Sequence, residues 1–226
     1  VRALPGSSKT RQSIVDTALE YLRRLTADAA GDPELALEVG TAYMRVARVQ
    51  GVPISANLGQ LEQSDQTLQK AEAVIESLLV SQPANRTAIF RSAQIAHDRM
   101  ILAGLRRPED EAMKFARRST ERLELYLRTG SVDPSDAQQF LVTYQNVARR
   151  YIRVDQIDEG VRMSRRAIEV ARATNQPLHG GAAMLVLAMG LKARGDLEDA
   201  LQAVREAAKI LEPPPDERNA GRAMNF

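Results

Sequence analysis

Residues 184–212 read MLVLAMGLKARGDLEDALQAVREAAKILE, and Pro213-Pro214-Pro215 follow them. Small and apolar residues recur there at helical spacing in two runs: Met184, Leu187, Ala188 and Leu191, then Ala200, Val204 and Ala207. The prolines stop the second run, because a proline has no N–H to donate and its ring collides with the preceding turn. Forty residues upstream the same offsets return Tyr144, Val147, Ala148 and Tyr151, then Gly160, Ser164, Ala167 and Arg172. A helical hairpin that repeats is one unit of an array. Such arrays usually hold other molecules rather than transform them.

Outward from this stretch the same period predicts nine helices. They cover about 9–29, 33–49, 61–81, 85–105, 108–129, 134–154, 155–174, 178–194 and 196–211. In the first, Ile14, Ala18, Leu22 and Leu25 form one stripe with Val15 and Leu19 beside it, and Gly31 ends the helix. Asp32-Pro33 then caps and opens the second. No convincing period-2 strand is present, so the expected fold class is all-α. Residues 1–8, with Pro5 and Gly6, read as an extended lead-in. Residues 9–212 read as the helical repeat domain, and 213–226 as a disordered tail.

Composition agrees with helices packed through small residues. Of 226 residues, 44% are hydrophobic and only 4% aromatic, with no Trp. The net charge of +2, with acids interspersed among the bases, argues against a nucleic-acid partner. Cysteine is absent, which excludes a disulfide framework, a thiol nucleophile and a thiolate metal site. The longest apolar run, residues 182–191, is half the length a membrane span requires. No signal peptide is visible, and a chain that starts with Val reads as a piece of something longer.

These offsets resemble the tetratricopeptide repeat, whose pattern is W-x2-L-G-x2-Y followed by A-x3-F-x2-A-x4-P. An earlier copy is Ala36, Val39, Gly40 and Tyr43, then Ala71, Ile75, Leu78 and Pro83. A weaker middle copy is Ser92, Ile95, Ala96 and Arg99, then Ala112, Ala116, Ser119 and Glu124. The resemblance implies a right-handed superhelix of antiparallel helix pairs, with the first helix covering the first pair. Two departures stand out. The second-helix landmarks Ala71, Ala112, Gly160 and Ala200 are 41, 48 and 40 residues apart, against about 34 in the family. About nineteen residues more than the family pattern holds also separate Tyr43 from Ala71.

A narrower resemblance rests on three N-terminal strings: VRALPGSSKTRQ from Val1, EYLRRL from Glu20, and YMRVARVQG from Tyr43. They are similar to the region after the membrane helix in some large bacterial serine/threonine protein kinases. That implies a non-catalytic sensor or docking region, on the extracytoplasmic side if a membrane helix precedes Val1 and in the cytoplasm otherwise.

No kinase glycine loop, His-Arg-Asp loop, Asp-Phe-Gly, Walker loop or dinucleotide fingerprint occurs. Of the two histidines, His97 adjoins Asp98, but neighbours on a helix point about 100° apart, so no dyad is expected. His179 stands beside Gly180-Gly181 and reads as structural or solvated. Glu109, Asp110 and Glu111 read as a helix opening that complements the dipole, with no metal implied.

In the family the inner groove is lined by the first helix of each repeat. Carried over, that gives Thr41, His97, Arg149 and Met189, with Arg45, Ile101, Arg153 and Ala193 as a second set. Gln145 and Asn146 fall within one turn of Arg149. A peptide-binding groove of Arg45, His97, Gln145, Asn146, Arg149 and Arg153 would suit an acidic peptide or protein ligand, since Arg offers paired donors, and would need no cofactor. The Lys/Asn set of chaperone-binding members is missing. The loop 51–60 is expected to pack over helix ends through Val52, Ile54 and Leu58, and Arg162, Arg165 and Arg166 to form surface ion pairs. Two alternatives accompany this expectation. One is a dimerisation module built on exposed Leu and Val of the terminal helices. The other is a small-molecule sensor with an apolar pocket near Met100, Met184 and Met189.

Overall fold

The computed structural model describes residues 7–54, 56–106 and 109–211, and regular structure there is helical throughout. Most of the expected lead-in and all of the expected tail lie outside the described residues. Ser7 and Ser8, expected in the lead-in, already belong to the first helix. The chain divides into two compact units, Val1–Thr129 and Gly130–Phe226.

Unit 1 contains α1 (Ser7–Asp28), a 3-10 turn (Ala29–Gly31), α2 (Pro33–Gln50), α3 (Leu61–Ser81), α4 (Arg86–Arg106) and α5 (Glu109–Arg128). Asp32 caps α2 as its sequence demands, with Oδ1 accepting from Glu34 N at 3.0 Å and Leu35 N at 3.1 Å. Helices α2 and α3 pair closely because Gly40 has no side chain. A Cβ there would sit 2.6 Å from Ile75 Cδ1. Ser64 Oγ donates to Ala47 O at 2.7 Å across the same pair. In the next pair, Ser119 Oγ on α5 donates to Ala93 O on α4 at 3.0 Å, and Phe90 packs on Tyr126 with ring centroids 5.3 Å apart. Helix α1 covers α2, where Thr26 Oγ1 lies 3.2 Å from the buried Tyr43 hydroxyl.

The loop 51–60 folds back on itself. Leu58 N donates to Val49 O and Gln60 N to Gln50 O, at 3.0 and 2.9 Å. Val52 is fully buried and Leu58 half-buried, as the packing expectation requires. Ile54 departs from it and stays exposed, because the loop turns outward there through a bond from Ile54 N to Val52 O.

Unit 2 contains α6 (Ala137–Arg153), α7 (Ile157–Ala173), α8 (Pro177–Arg194) and α9 (Leu197–Leu211). Its connections are one device used three times. Asp155, Asn175 and Gly195 lie twenty residues apart, and all three have positive φ, at 65°, 52° and 96°. Asp, Asn and Gly are the residues that enter the left-handed region most readily, so each helix ends where one of them stands. Two such steps make the forty-residue hairpin. Close approach again depends on missing side chains: a Cβ on Gly160 would lie 2.9 Å from Ala148 O, and one on Gly190 2.7 Å from Val161 Cγ2.

Helix α6 starts later than its proline suggested. Asp133 Oδ1 accepts from both Ser135 N and Ser135 Oγ, so residues 133–136 form a turn ahead of Ala137. Among the described residues no helix is long and apolar enough to cross a membrane.

Candidate functional site: a basic face on α6

Helix α6 buries Phe140, Leu141, Tyr144, Val147, Ala148 and Tyr151 in the core of unit 2. Its opposite face carries Val142, Asn146, Arg149 and Arg153, at the i, i+4, i+7, i+11 spacing of one stripe. Arg149 is half-buried, and its NH1 donates to Asn146 Oδ1 at 3.3 Å. Burial, and then the charge of Arg153, push the Arg149 guanidinium below its ordinary value. Neither arginine has a carboxylate partner among the described residues. A partly desolvated cation beside a second cation attracts an anion. Helix α8, which packs against α6, leaves Leu185 and Met189 exposed.

No protein-family model and no curated protein matches the chain. Among solved structures it is similar to the crystal structure of BtubC (BKLC) from P. vanneervenii. The identity is 16%, over 93% of this chain and 95% of that one, with a TM-score of 0.47.

Of the residues expected to line a groove, Asn146, Arg149 and Arg153 come together on α6. Gln145 instead turns inward, and its Nε2 donates to His179 O on α8 at 2.8 Å. It ties two helices together and is buried. Burial holds the His179 ring below its ordinary value. Arg45 is exposed on α2, in unit 1. His97, also in unit 1, is 2% exposed and therefore internal.

The expected separation of His97 and Asp98 is corrected by the geometry. His97 Nδ1 lies 2.8 Å from Asp98 Oδ1, and Arg48 Nε donates to Asp98 Oδ2 at 2.6 Å. Side-chain torsions overcome the 100° offset because both groups are buried and each needs a polar partner. Met100 and Met184 are core side chains and Met189 is exposed. The basic run behaves as expected at two positions: Arg162 pairs with Glu159 at 2.6 Å and Arg166 with Glu169 at 2.7 Å.

Sequence reasoning missed an ion-pair ladder in unit 1. Arg99 reaches Asp65 and Glu72, Arg118 reaches Glu72 and Glu76, and Arg122 reaches Glu76. These carboxylates lie on α3 at i, i+7 and i+11, and the α5 arginines are four apart. That spacing was the available signal.

Proposed function

We propose that this chain is a helical-repeat recognition module of the tetratricopeptide kind, which binds an acidic segment of a protein partner and catalyses nothing. The repeat reading is supported by the forty-residue register of unit 2 and by small residues at each close helix approach. One observation carries the ligand chemistry: Arg149 and Arg153 stand together on one helix face, and among the described residues no carboxylate meets them. An incoming Asp or Glu would supply that charge through paired N–H donors, while the exposed Val142, on the same stripe of α6, offers apolar contact.

The test uses a fluorescently labelled hexaglutamate peptide against its hexaglutamine counterpart. The acidic peptide is expected to bind more weakly as salt rises, and to lose at least tenfold in affinity when Arg149→Gln and Arg153→Gln are combined. Arg162→Gln, which removes a cation already paired with Glu159, should leave binding unchanged. Equal losses in both variants would refute the site.

The three N-terminal strings support placing the module in the non-catalytic part of a bacterial transmembrane serine/threonine kinase. An antibody to this region should then detect a native chain large enough to include a kinase domain. A native chain no longer than this sequence overturns that placement.

A further inference from the structure

The partly buried arginines of the unit 1 ladder all meet carboxylates. Arg48 pairs with Asp98, Arg99 with Asp65 and Glu72, Arg118 with Glu72 and Glu76, and Arg122 with Glu76. A cation drawn out of water is neutralised there inside the fold. Arg149 is half-buried too, yet its side chain meets the neutral Asn146 Oδ1, at 3.3 Å, and no carboxylate among the described residues. Arg153, one turn further on the same face, is exposed and equally without one. The dipole of α6 favours cations in its last turn, where Arg150 and Arg153 stand, but Arg149 precedes that turn.

Two uncompensated charges on neighbouring positions define the anion that suits them. Side chains four apart on a helix have Cβ atoms about 5–6 Å from each other, so one small anion can touch both guanidiniums. A carboxylate is planar, brings a single negative charge and pairs its oxygens with one guanidinium, which leaves the second cation unmet. A phosphate monoester brings a charge of about −2 at pH 7 and three oxygens in a tetrahedral spread. Those oxygens can accept paired N–H bonds from both arginines at once. The bond to Asn146 holds the Arg149 guanidinium in place before the ligand arrives, which lowers the entropy lost on binding.

We infer that the acidic group this face selects is a phosphorylated serine or threonine of the partner protein, seated between Arg149 and Arg153. The inference rests on the acidic-segment reading and adds to it the class of the anion. Both positive charges of the face are then met by one ligand residue, as the guanidiniums of unit 1 are met by their own carboxylates.

The probes are labelled hexaglutamine peptides with one central phosphoserine or one central glutamate, titrated into the full chain and followed by anisotropy. At pH 7 the phosphoserine peptide is expected to bind at least tenfold tighter than the glutamate peptide. At pH 5 the phosphate has taken up its second proton, and the advantage should fall below threefold. Arg153→Gln changes an exposed side chain and should abolish the advantage at pH 7, whereas Arg162→Gln should leave it intact. Equal affinities for the two peptides, no binding of the phosphoserine peptide, or an advantage that survives Arg153→Gln overturns the inference. Hexaglutamate separates that failure from failure of the wider reading. If hexaglutamate still binds, the face takes acidic segments without regard to phosphate; if it does not, both fall. Inorganic phosphate that displaces the phosphoserine peptide as effectively as unlabelled peptide does would make a free anion the ligand, and overturns the inference equally.

Discussion

Arg48 on α2 and Asp98 on α4 are joined across 2.6 Å, with the carboxylate fully buried and the guanidinium largely so. Burial alone would raise the Asp98 carboxyl. The bond to His97 and the charge of Arg48 outweigh it and hold the group below its ordinary 3.8. Because the folded value lies below the unfolded one, Asp98 stabilises the fold above about pH 4, and that contribution is lost as pH falls through the folded value. Asp98→Asn leaves Arg48 without its charge partner and is expected to cost about 3 kcal/mol at pH 7. Urea unfolding at pH 7 and pH 3 should show the gap between wild type and variant narrowing at the lower pH. A constant gap would mean that the charge is not what matters.

Gly160 and Gly180 should respond oppositely to alanine. At Gly160 a new methyl would meet Ile152 Cγ1 at 2.4 Å and the Ala148 carbonyl at 2.9 Å, and the backbone atom cannot yield. Gly160→Ala is therefore expected to destabilise by about 1–3 kcal/mol through forced separation of α6 and α7. At Gly180 the nearest atom is Ala171 Cβ at 3.4 Å, an ordinary contact. There the gain in helix propensity should prevail and stabilise by up to about 1 kcal/mol. Thermal melts of the two variants bracket the wild type on this account.

The helices were legible because their ends are written locally. Asp32-Pro33 opens α2, Gly195 ends α8, and the offsets of Gly160 and Ala200 announce the close pairs. Of the candidate groove residues, helical spacing alone places Asn146, Arg149 and Arg153 on the face turned from the core. The inward turn of Gln145 is not legible locally, because its partner is a backbone carbonyl thirty-four residues away. The contact of His97 with Asp98 is not legible either, because a helical wheel gives the direction of Cβ, while two buried polar groups choose torsions that let them meet. Arg99 stands where the resemblance would put an aromatic residue, and only the structure reveals that its guanidinium lies over the Phe115 ring.

Arg149 and Arg153 are four residues apart on one helix face, an arrangement that costs an isolated helix a few tenths of a kcal/mol. Arg153→Gln removes the repulsion without touching the core. It should stabilise the chain by about 0.3–0.5 kcal/mol at low salt, and the gain should shrink as salt screens the pair. Melting curves at two ionic strengths read this directly. A destabilised variant would reveal an acidic group already serving Arg153.

Arg99 should prove the least replaceable cation in unit 1. Its guanidinium lies 4.3 Å from the Phe115 ring centroid, its Nε donates to Asp65 Oδ1 at 3.2 Å, and its NH1 meets Glu72. Arg99→Leu keeps the apolar contact with Phe115 but removes the cation that meets both Asp65 and Glu72, at an expected cost of about 3 kcal/mol. Arg99→Lys should recover less than half of that, because an ammonium is a point charge that cannot stack on the ring while bridging two carboxylates. Adding Asp65→Asn to Arg99→Leu removes a buried carboxylate that has lost its Arg99 ion pair, so the double variant should be more stable than Arg99→Leu alone. Urea midpoints of the three variants test the ranking, and a double variant less stable than the single would mean that the Gln69 bond and the other contacts of Asp65 hold its charge without Arg99.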